Sequence, residues 1–230
     1  MKYPDDFINK IICGDCLNVM KHIPDESIDL VVTDPAYRTI SGGKTSKLAL
    51  RHVGGMLEKN DGKIFEHNNI EFSEWLPEVF RCLKNKTHCY VMVNTINLES
   101  LLQISRQIGF QLHNLLVWKK QNCTPNRWYM KNGEYIAFLR KGPAVPIKDM
   151  GSKTVHEFNN PFGNKLHPTE KPVELMEFYI SNSSSPRGII LDPFVGSGTA
   201  AIAAKNLNRN FIGIDISEEY CEMARKRLAE

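Results

Sequence analysis

Hydrophobic residues fall in short runs separated by polar, Gly- or Pro-bearing segments. Seven runs predict strands, at Ile11–Cys13, Ile28–Thr33, His88–Val93, Leu112–Trp118, Tyr135–Leu139, Ile189–Leu191 and Phe211–Ile214. Apolar residues at helical spacing predict helices over Phe72–Lys84, Leu98–Gln107, Pro172–Ser181, Thr199–Asn206 and Ser217–Leu228. Strands that alternate with helices imply an α/β fold: a seven-stranded, mostly parallel sheet with helices on both faces.

Local signals sharpen these boundaries. Ser217 suits an N-cap, with Glu218 and Glu219 in the first turn that follows and Arg225, Lys226 and Arg227 near the helix end, the polarity a helix dipole favours. Pro172 suits a first helical position, and Pro168 keeps the preceding segment out of helix. Residues 38–69 carry Gly42-Gly43, Gly54-Gly55 and Asp61-Gly62 and read as a loop insertion. Gly142–Asn164, rich in Pro, Gly and Asn, reads as a second long loop.

A length of 230 residues accommodates one sizeable domain, taken as 1–230. The 42% hydrophobic and 24% charged content excludes a disordered chain and gives no sign of a membrane protein. Six cysteines without an apolar leader predict a reduced, cytoplasmic setting. Cys13-Gly14-Asp15-Cys16 has no second pair to complete a zinc site, so no metal is expected. The net charge of +3 is too small to name a partner, but ten Lys or Arg against four Asp or Glu between Lys119 and Lys171 put a positive field mid-chain.

Two motifs carry chemistry. Asp34-Pro35-Ala36-Tyr37 ends the second predicted strand, where open α/β sheets bind ligands; alone, it also reads as an Asp-Pro turn. Asp192-Pro193-Phe194-Val195-Gly196-Ser197-Gly198-Thr199 links a strand to a helix with glycines that let a ligand approach backbone. This turn also satisfies a dinucleotide fingerprint, with Asp215 as a ribose-binding carboxylate, so a nicotinamide or flavin oxidoreductase is a rival reading. A second mononucleotide half is not expected downstream of Asp215, which favours a ligand with one nucleoside and no pyrophosphate.

Taken together, Asp34-Pro35-Ala36-Tyr37, the Asp192–Thr199 motif and His167-Pro168-Thr169-Glu170-Lys171-Pro172 between them resemble the amino-group DNA methyltransferases. Their order is that of the circularly permuted beta class, and the similarity runs from Ile12 to the final helix. Ala36 replaces the second proline of the family's commonest catalytic motif, which loosens a φ restraint without removing a polar or stacking group.

The resemblance implies a Rossmann-like domain that uses S-adenosylmethionine to methylate adenine N6 of a flipped-out base in DNA. Asp34 and the Pro35 carbonyl would accept the two amino N–H donors, and Tyr37 would stack on the base. Asp192, Phe194, Gly196, Ser197, Gly198 and Thr199 would line the methionine half of the cofactor, Asp215 its ribose and Asp15 its adenine, with Thr169 and Lys171 closing the other side. Lys171 also reads as a solvated charge before a helix.

Cations interleave with aromatics around Trp118-Lys119-Lys120 and Asn126–Lys131, as phosphate contact and base stacking require. Residues 119–165 are the candidate target-recognition region, with Arg38, Lys119, Lys120, Arg127, Tyr129 and Lys131 as DNA contacts. Cytosine N4 is the near alternative substrate, and a non-catalytic DNA-binding module on the same fold is the alternative from another class. DNA, a cognate restriction enzyme and a second copy of the chain are the partners the resemblance admits.

Overall fold

A computed structural model describes residues 1–35, 70–124, 129–159 and 171–230, without the side chains of Asn122 and Thr124. The expected insertion at 38–69 lies outside the described residues. Eight strands and six helices occur among those described: β1 (Lys10–Cys13), α1 (Cys16–Met20), β2 (Ile28–Thr33), α2 (Phe72–Cys82), β3 (Leu83–Val93), α3 (Leu98–Ile108), β4 (Gln111–Thr124), β5 (Lys131–Lys141), β6 (Val155–Glu157), α4 (Val173–Ser183), β7 (Ile189–Asp192), α5 (Thr199–Asn206), β8 (Asn210–Asp215) and α6 (Glu218–Ala229).

They form one sheet in the order β1-β8-β7-β2-β3-β5-β4-β6. Every neighbouring pair is parallel except β3–β5 and β4–β5, so β5 alone runs against the rest. The central strands are apolar throughout, as burial on both faces requires: Leu30, Val31 and Val32 of β2 are fully buried. Leu30 and Val32 join Tyr90, Met92, Ile136, Phe138 and the apolar residues of α4 in one core cluster, while alternate residues such as Val31 and Val91 point to the opposite face.

Seven strands were expected, and the eighth is β6, inside the predicted loop. It forms because β4 would otherwise be a bare sheet edge: Val117 N–H donates to the Thr154 carbonyl (2.8 Å), and the Trp118 indole N–H donates to Phe158 O (2.9 Å). A three-residue strand carries too little alternation to stand out in sequence. β4 and β5 also outrun their apolar runs, because backbone pairing continues to Thr124↔Lys131, well past the buried residues of β5. α2 ends two residues before its expected limit, where Leu83 pairs with Ile28 to begin β3. α1 is a single turn capped by Asp15, too short for periodicity to reveal.

The seam between β2 and β7 is the topological switch of the sheet, since the chain winds outward from it through β3 on one side and β8 on the other. Side chains close both ends of this seam. At its amino end the Asp29 carboxylate accepts from Ile189 N–H (2.9 Å) and Lys84 Nζ (2.7 Å). At its carboxyl end the Thr33 hydroxyl donates to Asp192 Oδ1 (2.6 Å), with both residues buried.

Burial pushes the Asp192 carboxyl up from an ordinary 3.8 to about 7; the Thr33 hydrogen bond and the Phe194 N–H oppose the rise, and the charges of Asp34 and Asp215 add to it. The folded chain therefore binds this proton more tightly than the unfolded chain. The contribution to stability is full below the unfolded value and is lost as pH rises through the folded one. Urea unfolding of wild type and Asp192→Asn from pH 4 to 8 should show wild-type stability falling relative to the variant up to pH 7, then a constant difference. Parallel curves across the range would refute the assignment.

Candidate active site

Four aspartates mark the carboxyl edge of the sheet, each at the end of a parallel strand. Asp15 follows β1, Asp215 ends β8, Asp192 ends β7 and Asp34 follows β2, and these strands are consecutive in the sheet. Residues far apart in sequence are thereby placed along one rim, where α/β sheets hold ligands.

The β7–α5 turn builds one side of the rim. Phe194 N–H donates to Asp192 Oδ1 (3.1 Å) and Val195 N–H to the Ile214 carbonyl (2.9 Å). Gly196 N–H donates to Asp215 Oδ2 (2.9 Å) and Ser217 N–H to Asp215 Oδ1 (2.9 Å), so the Asp215 carboxylate is fixed by one backbone donor on each oxygen.

The two glycines of the turn do different work. Both have positive φ, +50° at Gly196 and +88° at Gly198. A Cβ on Gly196 would meet nothing within 4 Å, so this backbone faces open space; a Cβ on Gly198 would lie 2.9 Å from that of Ala224 in α6. Gly196 forms an open cradle and Gly198 permits close helix packing. Ser197 is turned into the fold, its hydroxyl accepting from Arg227 of α6 (3.0 Å). Thr199 is buried at the start of α5, and half-buried Phe194 meets Trp75 edge-on at 5.0 Å. Asp15 caps α1 by accepting from Leu17 N–H (2.9 Å).

The other side of the rim is built from charge. The Lys171 ammonium donates to Asp34 Oδ2 and lies 3.4 Å from Glu134 Oε2, while Glu134 Oε1 accepts from Lys120. Lys120 Nζ stands 5.0 Å over the Trp118 ring. Lys171 lies just before α4, whose Tyr179 stacks on Tyr90 of β3 (4.7 Å), with Tyr90 stacked on Phe138 of β5 (4.6 Å). Its side chain is only 9% exposed. Of the two readings of Lys171, the solvated charge is excluded, and its ammonium meets the expected catalytic carboxylate.

Glu134 was not among the expected residues. Burial pushes its carboxyl up, but Lys171 and Lys120 outweigh burial and hold it below the ordinary glutamate range. β5 runs antiparallel, so its amino end, with Glu134 opposite Trp118, reaches the same rim as the carboxyl ends of the parallel strands. The sequence carried one trace of this, the only acid between Lys119 and Lys148. Nothing in the spacing linked it to Asp34 or Lys171.

The expected DNA contacts divide. Tyr129 is 92% exposed and Lys131 is exposed at the start of β5. Lys119 pairs at the surface with Glu157 (2.6 Å), and Lys120 is turned inward to Glu134. Trp118 belongs to the core. Tyr37, Arg38, Arg127 and Thr169 lie outside the described residues, while Pro35 is buried beside Asp34. Among the described residues no three His, Cys, Asp or Glu side chains group as metal ligands, and no helix is long and apolar enough to cross a membrane.

The DNA methylase family matches residues 28–226. The type II methyltransferase M2.MboI of Moraxella bovis is 30% identical over 98% of this chain and 89% of its own length. The crystal structure of the M1.HpyAVI complex with S-adenosylmethionine superposes with a TM-score of 0.74 at 24% identity, covering 96% of this chain and 99% of the other. The cytosine-N4-specific PvuII DNA methyltransferase superposes with a TM-score of 0.72 at 18% identity, covering 96% and 86%. With both motifs on one rim and the family match spanning them, the chain belongs to the DNA methylase family.

Proposed function

We propose that the chain transfers a methyl group from S-adenosylmethionine to adenine N6 in DNA, acting on a base extruded from the duplex in the cytoplasm. The observation that carries this reading is the placement of Asp34 beside the β7–α5 turn, joined through the buried Thr33–Asp192 hydrogen bond. An acceptor for an amine and a cradle for a nucleoside then lie at adjacent strand ends.

The site fits the cofactor. Gly196 leaves its backbone open on one side, and Asp215 presents a carboxylate already oriented by two backbone donors. Asp215 would take the ribose hydroxyls, Asp15 would face the adenine, and Asp192, Phe194, Gly196, Ser197, Gly198 and Thr199 would shape the methionine side, with Thr169 closing over it. Of these, Ser197 acts through its backbone N–H, since Arg227 engages both its hydroxyl and its carbonyl. Bound there, S-adenosylmethionine supplies an electrophilic methyl group.

The protein's task is to make a poor nucleophile better. An amine conjugated to a base ring shares its lone pair with that ring. Asp34 and the Pro35 carbonyl accept its two N–H bonds, drawing the nitrogen toward tetrahedral geometry and directing the lone pair along one axis. Tyr37 stacks on the extruded base, a contact worth about 1–3 kcal/mol that offsets part of the unstacking cost. Arg38, Lys119, Lys120, Arg127, Tyr129 and Lys131 contact the DNA, and residues 119–165 read the target. Because Lys120 also pairs with Glu134, it reaches phosphate only from the rim.

Cytosine N4 is the second reading, favoured by the superposition on a cytosine-N4 enzyme, since both bases present the same pair of amino donors. Asp34 at the catalytic position supports adenine. A restriction enzyme of matching specificity and a second copy of the chain are the protein partners that suit the type II relatives.

Asp34→Ala should reduce methyl transfer to DNA by at least about a hundredfold, while calorimetry finds S-adenosylmethionine affinity within about threefold of wild type. Normal turnover in this variant would remove Asp34 from the chemistry. Gly196→Ala and Gly198→Ala separate cradle from packing. The first should keep most of the melting temperature and lose cofactor affinity; the second should lower the melting temperature several degrees, since strain of about 1–2 kcal/mol adds to the Ala224 clash. Equal melting temperatures with equal affinities would contradict the assignment.

A further inference from the structure

We propose that Glu134 is a positioning residue for methyl transfer, holding the Lys171 ammonium so that it does not saturate Asp34 as an acceptor. The inference rests on the reading of Asp34 as the acceptor of the target amine. Lys171 touches Asp34 Oδ2 with Glu134 Oε2 at 3.4 Å on its other side, so one ammonium stands between two carboxylates. An ammonium has three donors and no acceptor, and a buried one must keep an anion beside it.

A carboxylate that already carries a full cation is a weaker acceptor for an amine, because the ammonium withdraws the electron density the amine N–H would engage. Without the Glu134 charge, drawing Lys171 off Asp34 each time a base arrived would take an ammonium away from an anion in a nearly dry environment. Glu134 supplies the alternative. It lies on β5, is fixed through Oε1 by Lys120, and remains charged because the two lysines outweigh its burial. As the amine N–H approaches Asp34, Lys171 moves its strongest hydrogen bond to Glu134; the nitrogen–methyl bond forms as the sulfur–methyl bond breaks, the thioether leaves neutral, and the methylated nitrogen then gives one proton to solvent. Lys120, itself over the Trp118 ring, keeps Glu134 from following Lys171 inward.

The test uses the full-length protein with S-adenosylmethionine and methyl-free DNA, and wild-type transfer comes first: if wild type methylates no DNA, the proposed function fails before Glu134 is considered. Glu134→Gln keeps the shape and removes the charge. Its single-turnover transfer rate should fall about tenfold, with DNA KM and cofactor affinity within about twofold of wild type, and Glu134→Asp should recover part of the rate. In a Lys171→Gln background, the same Glu134→Gln change should alter the rate by less than about twofold, because the residue acts through Lys171. A wild-type rate in Glu134→Gln, a loss confined to DNA affinity or melting temperature, or an equal loss in both backgrounds would each overturn the inference.

Discussion

The hydrogen bond from Thr33 to Asp192 is the constraint from which the rest of the site follows. It joins residues 159 apart in sequence at 2.6 Å, inside the sheet, where neither could turn to water for a partner. An unpaired polar group there would cost about 1–3 kcal/mol, so the pair fixes which strand ends meet. The residue after Thr33 is Asp34, and the residues after Asp192 form the glycine turn. One buried contact thus ties the Asp34 carboxylate to the glycine turn. Asp29 does the same at the far end of the seam, so β2 and β7 cannot slip without breaking polar contacts at both ends.

Around this seam the charges are distributed by solvation. Asp192, in the middle and fully enclosed, is driven toward the protonated form. Asp215 and Asp15 keep partners in backbone N–H groups, and Asp34 and Glu134 keep theirs in lysines. A rim with four aspartates at consecutive strand ends would repel itself if all were bare anions in a dry site. Protonation, backbone donors and ammonium groups are the three ways in which that repulsion is relieved, and each gives its carboxyl a different chemical character.

Most of the fold was legible because its strands are doubly buried and therefore appear as uninterrupted apolar runs. β6 escaped notice because its three residues owe their conformation to the edge of β4, a partner known only in space. The motif residues were legible because Asp34, Asp192, Gly196, Gly198 and Asp215 sit where strand-end loops demand carboxylates and glycines. Two side chains show the limit. Ser197 stands in the glycine motif, yet its hydroxyl turns to Arg227. Glu134 had no motif, since its role depends on β5 running against the sheet and so bringing its first residues to the same rim as Asp34. Sequence spacing expresses contacts along one strand-turn-helix unit well and contacts across strand order poorly.

Amine methylation of DNA leaves a product that can be identified directly. Its most direct test is to incubate the protein with methyl-labelled S-adenosylmethionine and unmethylated DNA, digest the product to nucleosides and identify the labelled species by mass spectrometry. Label is expected in N6-methyladenine. Label in N4-methylcytosine would keep the chemistry and correct the base. No labelled amino nucleoside, with cofactor binding demonstrated in the same preparation, would contradict the claim.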